Sequence, residues 1–258
     1  MKLIRSFALA FAMYSRVPMP KVKWDSESME YVFCFFPLVA LPLGALYVVW
    51  CRISELLELN TALIAVVCVL LPILYTGGIH MDGMCDTMDA LASNAERERK
   101  LEILKDSNTG AFAVIGCSIY LAVQFGLWYQ AVEDGVSPVV MCVIFVLSRS
   151  LSALAAVTMR NARKSGMLVT FTDAVRGKRV FIVVILWIIA TVTLLIYLDP
   201  FAGVTILVGA ALMYMWYAMM SRREFGGITG DLEGYFLQMC ELGCLLAMVL
   251  AERLVAVL

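Results

Sequence analysis

The chain has 258 residues, of which 62% are hydrophobic and 16% are charged, and its mean hydropathy is +0.87. Soluble domains are closer to half apolar and a quarter charged, so this composition excludes an ordinary soluble protein and indicates a polytopic membrane protein. The formal net charge of −1 gives no reason to expect a nucleic-acid partner. The eight cysteines are scattered through apolar runs, which favours small buried side chains over a disulfide framework or a zinc site.

The lengths of the apolar runs predict one membrane domain over residues 1–258, an all-α bundle of about seven spans. Residues 1–14 are too few to cross a bilayer and predict a short N-terminal helix in the interface. The second predicted span runs straight into a polar segment that begins at Gly77, and residues 92–110 read as a charged helix outside the bilayer. The predicted spans are about 31–51, 61–76, 111–130, 139–158, 180–197, 201–220 and 235–254.

Positive charges choose the orientation of this topology. Seventeen of the 20 lysines and arginines fall on one side, which predicts a cytoplasmic N-terminus in an integral protein of the cytoplasmic (inner) membrane, with the lipid bilayer as its surroundings. The segments that carry chemically interesting residues all fall on this side, so we expect one site that faces the cytoplasm. These segments are 14–23, 77–110, 159–179 and 221–234.

An acidic motif follows the second span. Asp82, Asp86 and Asp89 are spaced four and then three residues apart, which puts them on one face of a helix, where like charges repel. A divalent cation would relieve this repulsion, and carboxylates suit Mg²⁺, which usually also binds substrate phosphates. The spacing therefore predicts that these three residues are Mg²⁺ ligands. The alternative is a solvated acidic first turn favoured by the helix dipole.

Two ionisable residues inside or beside apolar runs allow two interpretations each. His80, the only histidine, could donate to a phosphate or carry a proton, or it could bond a backbone carbonyl. Arg149 lies near the middle of the fourth span, where a charge is costly and usually faces a cavity or a partner. It could bind a phosphate, or form a structural ion pair with Glu241, and the sequence favours neither.

Residues 226–231 form a glycine-rich turn before the last span. Backbone N–H groups in such a turn can bind a phosphate, although a plain loop between helices has the same composition. Asp231 could be a metal ligand or the N-cap of the following helix. Asp106 likewise could complete the metal site or cap the third span, and Arg163 could bind phosphate or only set the topology. Taken together, carboxylates, a cation and phosphate donors favour transfer at a phosphate.

Several motifs, in the same order over nearly the whole chain, resemble those of the cobalamin synthase (adenosylcobinamide-GDP ribazoletransferase) family. The stretch Gly-Gly-x-His-x-Asp-Gly-x-x-Asp-Thr-x-Asp is the most specific of them. The motifs are 16–20 (Arg-Val-Pro-Met-Pro), 36–39 (Phe-Pro-Leu-Val), 77–91, 105–107 (Lys-Asp-Ser) with Gly110, 162–163 (Ala-Arg) with Gly166, and 226–231 followed by Glu241.

The resemblance implies a Mg²⁺-dependent transferase that completes vitamin B12. In that reaction α-ribazole or its 5′-phosphate attacks adenosylcobinamide-GDP, GMP leaves, and adenosylcobalamin or its 5′-phosphate forms. The implied partners are these small molecules, and a homo-oligomer is left open. The implied catalytic residues are Asp82, Asp89 and Asp106, with either of the last two as the base. The implied substrate-binding residues are Arg16, His80, Lys105, Arg149, Arg163, Gly227, Thr229 and Asp231.

The chain departs from the family pattern at three places: Asn-Thr replaces Arg-Ile at 108–109, Arg-Asn replaces Pro-Tyr at 160–161, and Leu-Glu-Gly-Tyr replaces Thr-Leu-Gly-Ala at 232–235. Three other functions compete. A CDP-alcohol phosphotransferase needs alanine at position 86, and an intramembrane prenyltransferase needs two separate acidic motifs. A transporter would line its path with Arg149 and Glu241, but paired broken helices in two halves are not evident.

Overall fold

The computed structural model describes residues 2–106, 108–175 and 178–257, which are helical and contain no strand. Ser107 of the Lys-Asp-Ser motif and positions 176 and 177 of the predicted basic loop lie outside the described residues. The helices are α1 (Lys2–Tyr14), α2 (Ser26–Met29), α3 (Val32–Phe35), α4 (Ala40–Leu56), α5 (Thr61–Thr76), α6 (Ile79–Ala92), α7 (Arg97–Ile103), α8 (Ala111–Glu133), α9 (Pro138–Thr158), α10 (Met167–Ala174), α11 (Lys178–Leu198), α12 (Pro200–Met220) and α13 (Gly230–Val257), with a 3₁₀ turn at Pro37–Val39 and a π-helical turn at Ser221–Phe225.

Five described helical stretches are long and apolar enough to cross a membrane, and α5 with α6 would make a sixth. The predicted all-α, polytopic membrane fold is therefore confirmed. The seventh predicted span corresponds to α13, which has 28 residues, and the number of helices that cross the bilayer stays a prediction. The five stretches are Pro37–Leu56, Ala111–Glu133, Pro138–Thr158, Lys178–Leu198 and Pro200–Phe225.

Helices α9 and α13 form the centre of the bundle, with α9 buried along most of its length. They are joined by Arg149, which is 1% exposed and whose Nη1 lies 2.6 Å from Oε1 of Glu241. The same nitrogen donates to the carbonyl of Phe145 at 3.0 Å. The structure thus shows the ion pair that the sequence allowed, and the enclosure of the guanidinium by protein argues against the predicted assignment of Arg149 to substrate binding.

The chain bends by 95° between α5 and α6. Gly77 and Gly78 both have left-handed backbone angles, with φ of 67° and 82°, which end α5 and start α6 in a new direction. A Cβ atom on Gly77 would lie 2.1 Å from Nε of Arg16, so a larger residue here would displace that side chain in addition to straining the backbone. The predicted second span, 61–76, thus coincides with α5, and the acidic motif that directly follows it lies on a helix with a new direction. We treat α5 as the span and α6 as lying beyond it.

Candidate active site

Helices α6 and α13 cross at two glycines. A Cβ atom on Gly83 would lie 2.7 Å from the carbonyl oxygen of Asp231, and one on Gly234 would lie 3.1 Å from the carbonyl oxygen of His80. Because neither glycine has a side chain, the two backbones approach more closely than larger residues permit. This crossing brings acids of α6 next to the acid that begins α13, although about 150 residues separate them in the sequence.

The residues Asp82, Asp86, Asp89 and Asp231 form the acidic cluster of this site. Burial, together with the negative charges of Asp82, Asp231 and Asp89, raises the pKa of Asp86 to about 6, while Arg163 opposes the effect. The other three carboxylates are thus close enough to disfavour the ionised form of Asp86. This electrostatic coupling agrees with the prediction that the three acids of α6 share one face of the helix. Asp231 is a fourth acid, which that prediction did not include in the motif.

Asp89 differs from the other members of the cluster because its carboxylate is already engaged. Its Oδ2 accepts a hydrogen bond from the backbone N–H of Gly110 at 2.6 Å, and its Oδ1 accepts one from Ala113 at 2.9 Å. These are N–H groups at the start of α8 that have no partner within the helix, so Asp89 acts as a cap from another helix. This engagement argues against its predicted roles as metal ligand and as base.

The loop before α10 pairs with the glycine-rich turn. The N–H of Ala162 donates to the carbonyl of Ile228, and the N–H of Ile228 donates to the carbonyl of Arg160, both at 2.9 Å. A Cβ atom on Gly227 would lie 2.2 Å from that carbonyl of Arg160, so this glycine permits the pairing instead of cradling a ligand with a free backbone. Because Arg163 follows Ala162 directly, this pairing positions its side chain next to Asp231 of the acidic cluster.

Arg163 and Thr229 hold Asp231 from two sides. Nη1 of Arg163 lies 3.4 Å from Oδ2 of Asp231, and Nη2 donates to the carbonyl of Leu101 at 3.2 Å. The hydroxyl of Thr229 accepts from the N–H of Leu232 at 3.3 Å and lies 3.4 Å from Asp231. Thr229 is thus the residue that caps α13, a role that the sequence analysis offered to Asp231. Asp231 therefore points toward the other acids.

A cavity of about 260 Å³ adjoins the acidic cluster. Its walls are mainly apolar and aromatic, with side chains of Tyr14, Phe33 and Phe36. Asp82, which is exposed, and Asp231 belong to the same lining, so the cavity and the acids form one continuous site. Such a pocket, mostly apolar with a few convergent polar groups, is typical of small-molecule sites.

His80 and Glu233 are polar residues in the lining of the same cavity. His80 is 5% exposed, and its Nε2 atom is buried without a hydrogen-bond partner among the described residues. Burial, with the nearby charge of Arg149, lowers the pKa of His80 to about 3, so its imidazole is neutral. Glu233, which is 7% exposed, accepts hydrogen bonds from the hydroxyl groups of Ser152 and Tyr217.

Glu233 was not predicted as a site residue. It appeared only as one of the residues at 232–235 that depart from the family pattern. One signal could have found it: a carboxylate in the first turn of a helix whose following residues are mostly apolar. Its two hydroxyl partners come from α9 and α12, so only the folded chain shows that it is both buried and satisfied.

The structure does not bring three predicted residues into the acidic cluster. Asp106 is exposed and accepts hydrogen bonds from the N–H and side chain of Asn108, which lower its pKa below the usual range. Its proposed role as the base is therefore not supported. Lys105 is exposed beside it. Arg16 is exposed and lies against Gly77 at the bend, where its backbone N–H donates to Tyr75 at 2.8 Å.

No preformed metal cage is present within 2–106, 108–175 and 178–257, since no three His, Cys, Asp or Glu side chains there converge tightly enough to hold an ion by themselves. Mg²⁺ commonly binds through one or two carboxylates, substrate phosphates and water instead of an all-protein cage. The coupled carboxylates of Asp82, Asp86 and Asp231 fit that open kind of site. Mg²⁺ binding stays a prediction.

Fold and site together define a polytopic helical membrane protein with an acidic, partly apolar pocket formed where several of its helices end. The family model described as Cobalamin-5-phosphate synthase matches residues 6–249. The chain therefore belongs to the cobalamin-5-phosphate synthase family, as the sequence motifs predicted.

Curated relatives support the same membership. The chain is 40% identical to adenosylcobinamide-GDP ribazoletransferase of Lachnoclostridium phytofermentans, over 99% of this chain and 97% of the relative. It is 30% identical to the protein of that name from Desulfitobacterium hafniense and 28% identical to that from Clostridium botulinum strain Alaska E43, over 93% of the chain in both cases and 94% and 95% of the relatives. No solved structure matches the chain.

Proposed function

We propose that this chain transfers the adenosylcobinamide phosphate group from adenosylcobinamide-GDP to α-ribazole or its 5′-phosphate, with release of GMP. This is the final assembly of the nucleotide loop of cobalamin. The observation that carries the proposal is the continuity of the acidic cluster with a cavity of about 260 Å³, which offers charge for a phosphoanhydride beside space for an aromatic nucleoside.

Mg²⁺ is the cofactor we propose for this reaction. Asp82, Asp86 and Asp231 would hold it, because their mutual repulsion is relieved by a divalent cation and hard carboxylate oxygens are its preferred ligands. When bound, the cation would neutralise charge on the phosphates of the donor. Asp89 is left out of this set because both of its oxygens accept hydrogen bonds from the start of α8.

The other steps of the proposed reaction are the attack at phosphorus, the departure of GMP and the transfer of a proton. The attacking hydroxyl of the ribazole forms a new P–O bond to the phosphate on the cobinamide side, and GMP leaves with the bridging oxygen. The hydroxyl proton would pass to Asp82, the carboxylate that lines the cavity and is in no ion pair among the described residues. Asp231 also lines the cavity, but its carboxylate is engaged by Arg163, whose Nη1 lies 3.4 Å from Oδ2.

Basic and backbone groups around the cluster would bind the donor. Arg163 lies in the site, and its planar fork suits phosphate oxygens. Arg16 and Lys105 are exposed, which leaves them accessible to the guanosine diphosphate part of a large substrate. Thr229 and Gly227 would contribute indirectly, because they shape the turn that presents Arg163 and Asp231.

The location of the reaction is also part of the proposal. Polar substrates and the distribution of lysine and arginine support an active site that faces the cytoplasm, in a protein of the cytoplasmic membrane. A homo-oligomer is compatible with the exposed apolar faces of the helices, which otherwise contact lipid. Protease or cysteine-labelling of intact and inverted vesicles would test the orientation.

The function is tested by GMP release from purified protein in nanodiscs with adenosylcobinamide-GDP and α-ribazole. We expect release that depends on Mg²⁺ and on both substrates, with a complete corrinoid as the second product. Asp82→Asn should fold but lose at least 100-fold in rate, because the variant loses both a metal ligand and a proton acceptor. Its matched control is Asp173→Asn on α10, which should keep its rate.

Folded wild-type protein that released no GMP would refute the proposal. The same preparation would then be offered CDP-alcohol and prenyl diphosphate donors, the substrates of the competing membrane transferases. Wild-type rates in folded Asp82→Asn would leave the activity in place and remove the assignment of the metal and the base to this carboxylate.

A further inference from the structure

The cavity beside the acidic cluster is lined mainly by apolar and aromatic side chains, with a few polar residues among them. These polar residues include Glu233 and His80, whose buried Nε2 has no hydrogen-bond partner among the described residues. Leaving a buried polar atom without a partner costs free energy, so such atoms usually mark the place of a ligand or a water. A flat aromatic ligand with hydrogen-bonding groups on its edge would pack against the apolar wall and form hydrogen bonds with His80 and Glu233.

We propose that this cavity binds the aromatic base of the acceptor nucleoside, and that His80 and Glu233 determine which base is accepted. The inference rests on the proposed function, since it assigns one of its two substrates to a location. Asp82 and Asp231 line the same cavity. A nucleoside whose base lies inside therefore has its ribose beside the acidic cluster, where the hydroxyl attacks.

Size separates the two substrates. About 260 Å³ suits a small, flat ligand and is at the low end for drug-sized molecules. A corrinoid macrocycle cannot enter this volume and must stay outside it, on the exposed side of the acids. The cavity is thus a site for the acceptor and not for the donor.

The carboxyl group of Glu233 determines which kind of base edge the cavity favours. The hydroxyl group of Ser152 donates to Oε2 of Glu233 and that of Tyr217 donates to Oε1, which leaves further lone pairs on the carboxyl group as acceptors. These acceptors favour a base edge that carries an O–H or N–H donor and disfavour one that carries only lone pairs or methyl groups. His80, as a neutral imidazole, supplies Nε2 as donor or acceptor to a ring nitrogen.

Glu233 places a carboxyl group in a mainly apolar lining. A leucine at this position would make this part of the wall apolar. A site that hydrogen-bonds a substrate hydroxyl rejects the analogue without it far more strongly than an apolar pocket rejects an added group. The carboxylate therefore converts a permissive wall into a selective one.

The test compares two acceptors with purified protein in nanodiscs at saturating adenosylcobinamide-GDP and Mg²⁺: a benzimidazole riboside with a ring hydroxyl and one with two ring methyl groups. We expect the wild-type protein to have the higher kcat/KM with the hydroxylated riboside. Glu233→Leu should lower the ratio of the two kcat/KM values by at least about tenfold, and Glu233→Gln by less. His80→Ala should raise the KM of both ribosides and leave the KM of the donor unchanged.

The control is Glu252→Gln, on the same helix but outside the cavity lining, which should keep the wild-type ratio. A wild-type preference for the methylated riboside, or an unchanged ratio in Glu233→Gln and Glu233→Leu, would overturn the role of Glu233. If Glu233→Leu does not fold, Glu233→Gln decides. An unchanged acceptor KM in His80→Ala would overturn the location of the base, whereas absence of GMP release from wild type would refute the function itself.

Discussion

The ion pair between Arg149 and Glu241 offers the sharpest test of how the centre of the bundle is stabilised. Both side chains are almost fully buried, and the guanidinium Nη1 lies 2.6 Å from the carboxylate. The hydroxyl of Ser148 donates to the same carboxylate oxygen at 2.8 Å. Arg149→Met removes the cation and keeps most of the volume, so the carboxylate of Glu241 stays in the bundle without its partner.

The expected magnitude follows from this burial. Removal of one partner of a buried pair typically costs about 3–5 kcal/mol of unfolding free energy, while replacement of both by apolar side chains of similar size is often neutral. We therefore expect a large loss for Arg149→Met and for Glu241→Leu alone. The double variant should recover to within about 1–2 kcal/mol of the wild type, because it leaves no unpaired charge.

The assay is unfolding of detergent-solubilised protein in a mixed-micelle denaturant titration, followed by size-exclusion chromatography and tryptophan fluorescence. Arg99→Met is a matched control, since Arg99 pairs with Glu102 at 2.9 Å and both side chains are exposed. A surface pair of this kind is worth about 0–1 kcal/mol. The KM values of both substrates are measured for every variant that remains folded.

Two results would refute the reasoning. A double variant as unstable as Arg149→Met would mean that specific contacts of the guanidinium, and not charge pairing, hold the helices together. An Arg149→Met protein of normal stability with a strongly raised KM for the donor would mean that the residue binds substrate, contrary to its enclosure by protein in the structure.

Three further predictions concern the site. Gly83→Val should abolish GMP release because a side chain there collides with the backbone of Asp231, whereas Gly126→Ala, which meets nothing within 4 Å, should keep full activity and gain up to about 1 kcal/mol of stability. Asp89→Ala should lower the unfolding free energy by about 0.5–2 kcal/mol through loss of a cap, and GMP release should recover at low temperature, which a missing catalytic base would not allow. Mg²⁺ at 100 times its dissociation constant should stabilise the wild type by about 2.7 kcal/mol, EDTA should reverse this, and Asp86→Asn should weaken the response in the same thermal-shift assay.

Composition and span lengths were sufficient for the fold class, because 62% hydrophobic residues leave few alternatives to a membrane bundle. The acidic motif was visible because its members lie within one helix, where spacing alone predicts the shared face. The order of the motifs along the chain was enough for the family. These features depend on local sequence, or on a pattern that spans the chain.

The features that sequence could not supply depend on contacts between distant segments. Asp89 looks like its two neighbours in the motif, and only the position of α8 shows that its oxygens accept N–H groups more than 20 residues away. Asp231 and Glu233 lie in one helical turn, yet one faces the acids and the other two hydroxyl groups. The two glycines before α6 have left-handed backbone angles that permit a turn, but its angle of 95° is seen only in the folded chain, where the N–H of Arg16 donates to the carbonyl of Tyr75.

The crossing of α6 and α13 also has a consequence for how the enzyme is made. Asp82 and Asp86 are synthesised in the first third of the chain, whereas Asp231 and Glu233 enter the membrane with the last helix. A nascent chain thus holds an incomplete set of carboxylates until its final segment is inserted. If these carboxylates carry the proposed reaction, a prematurely terminated chain would release no GMP.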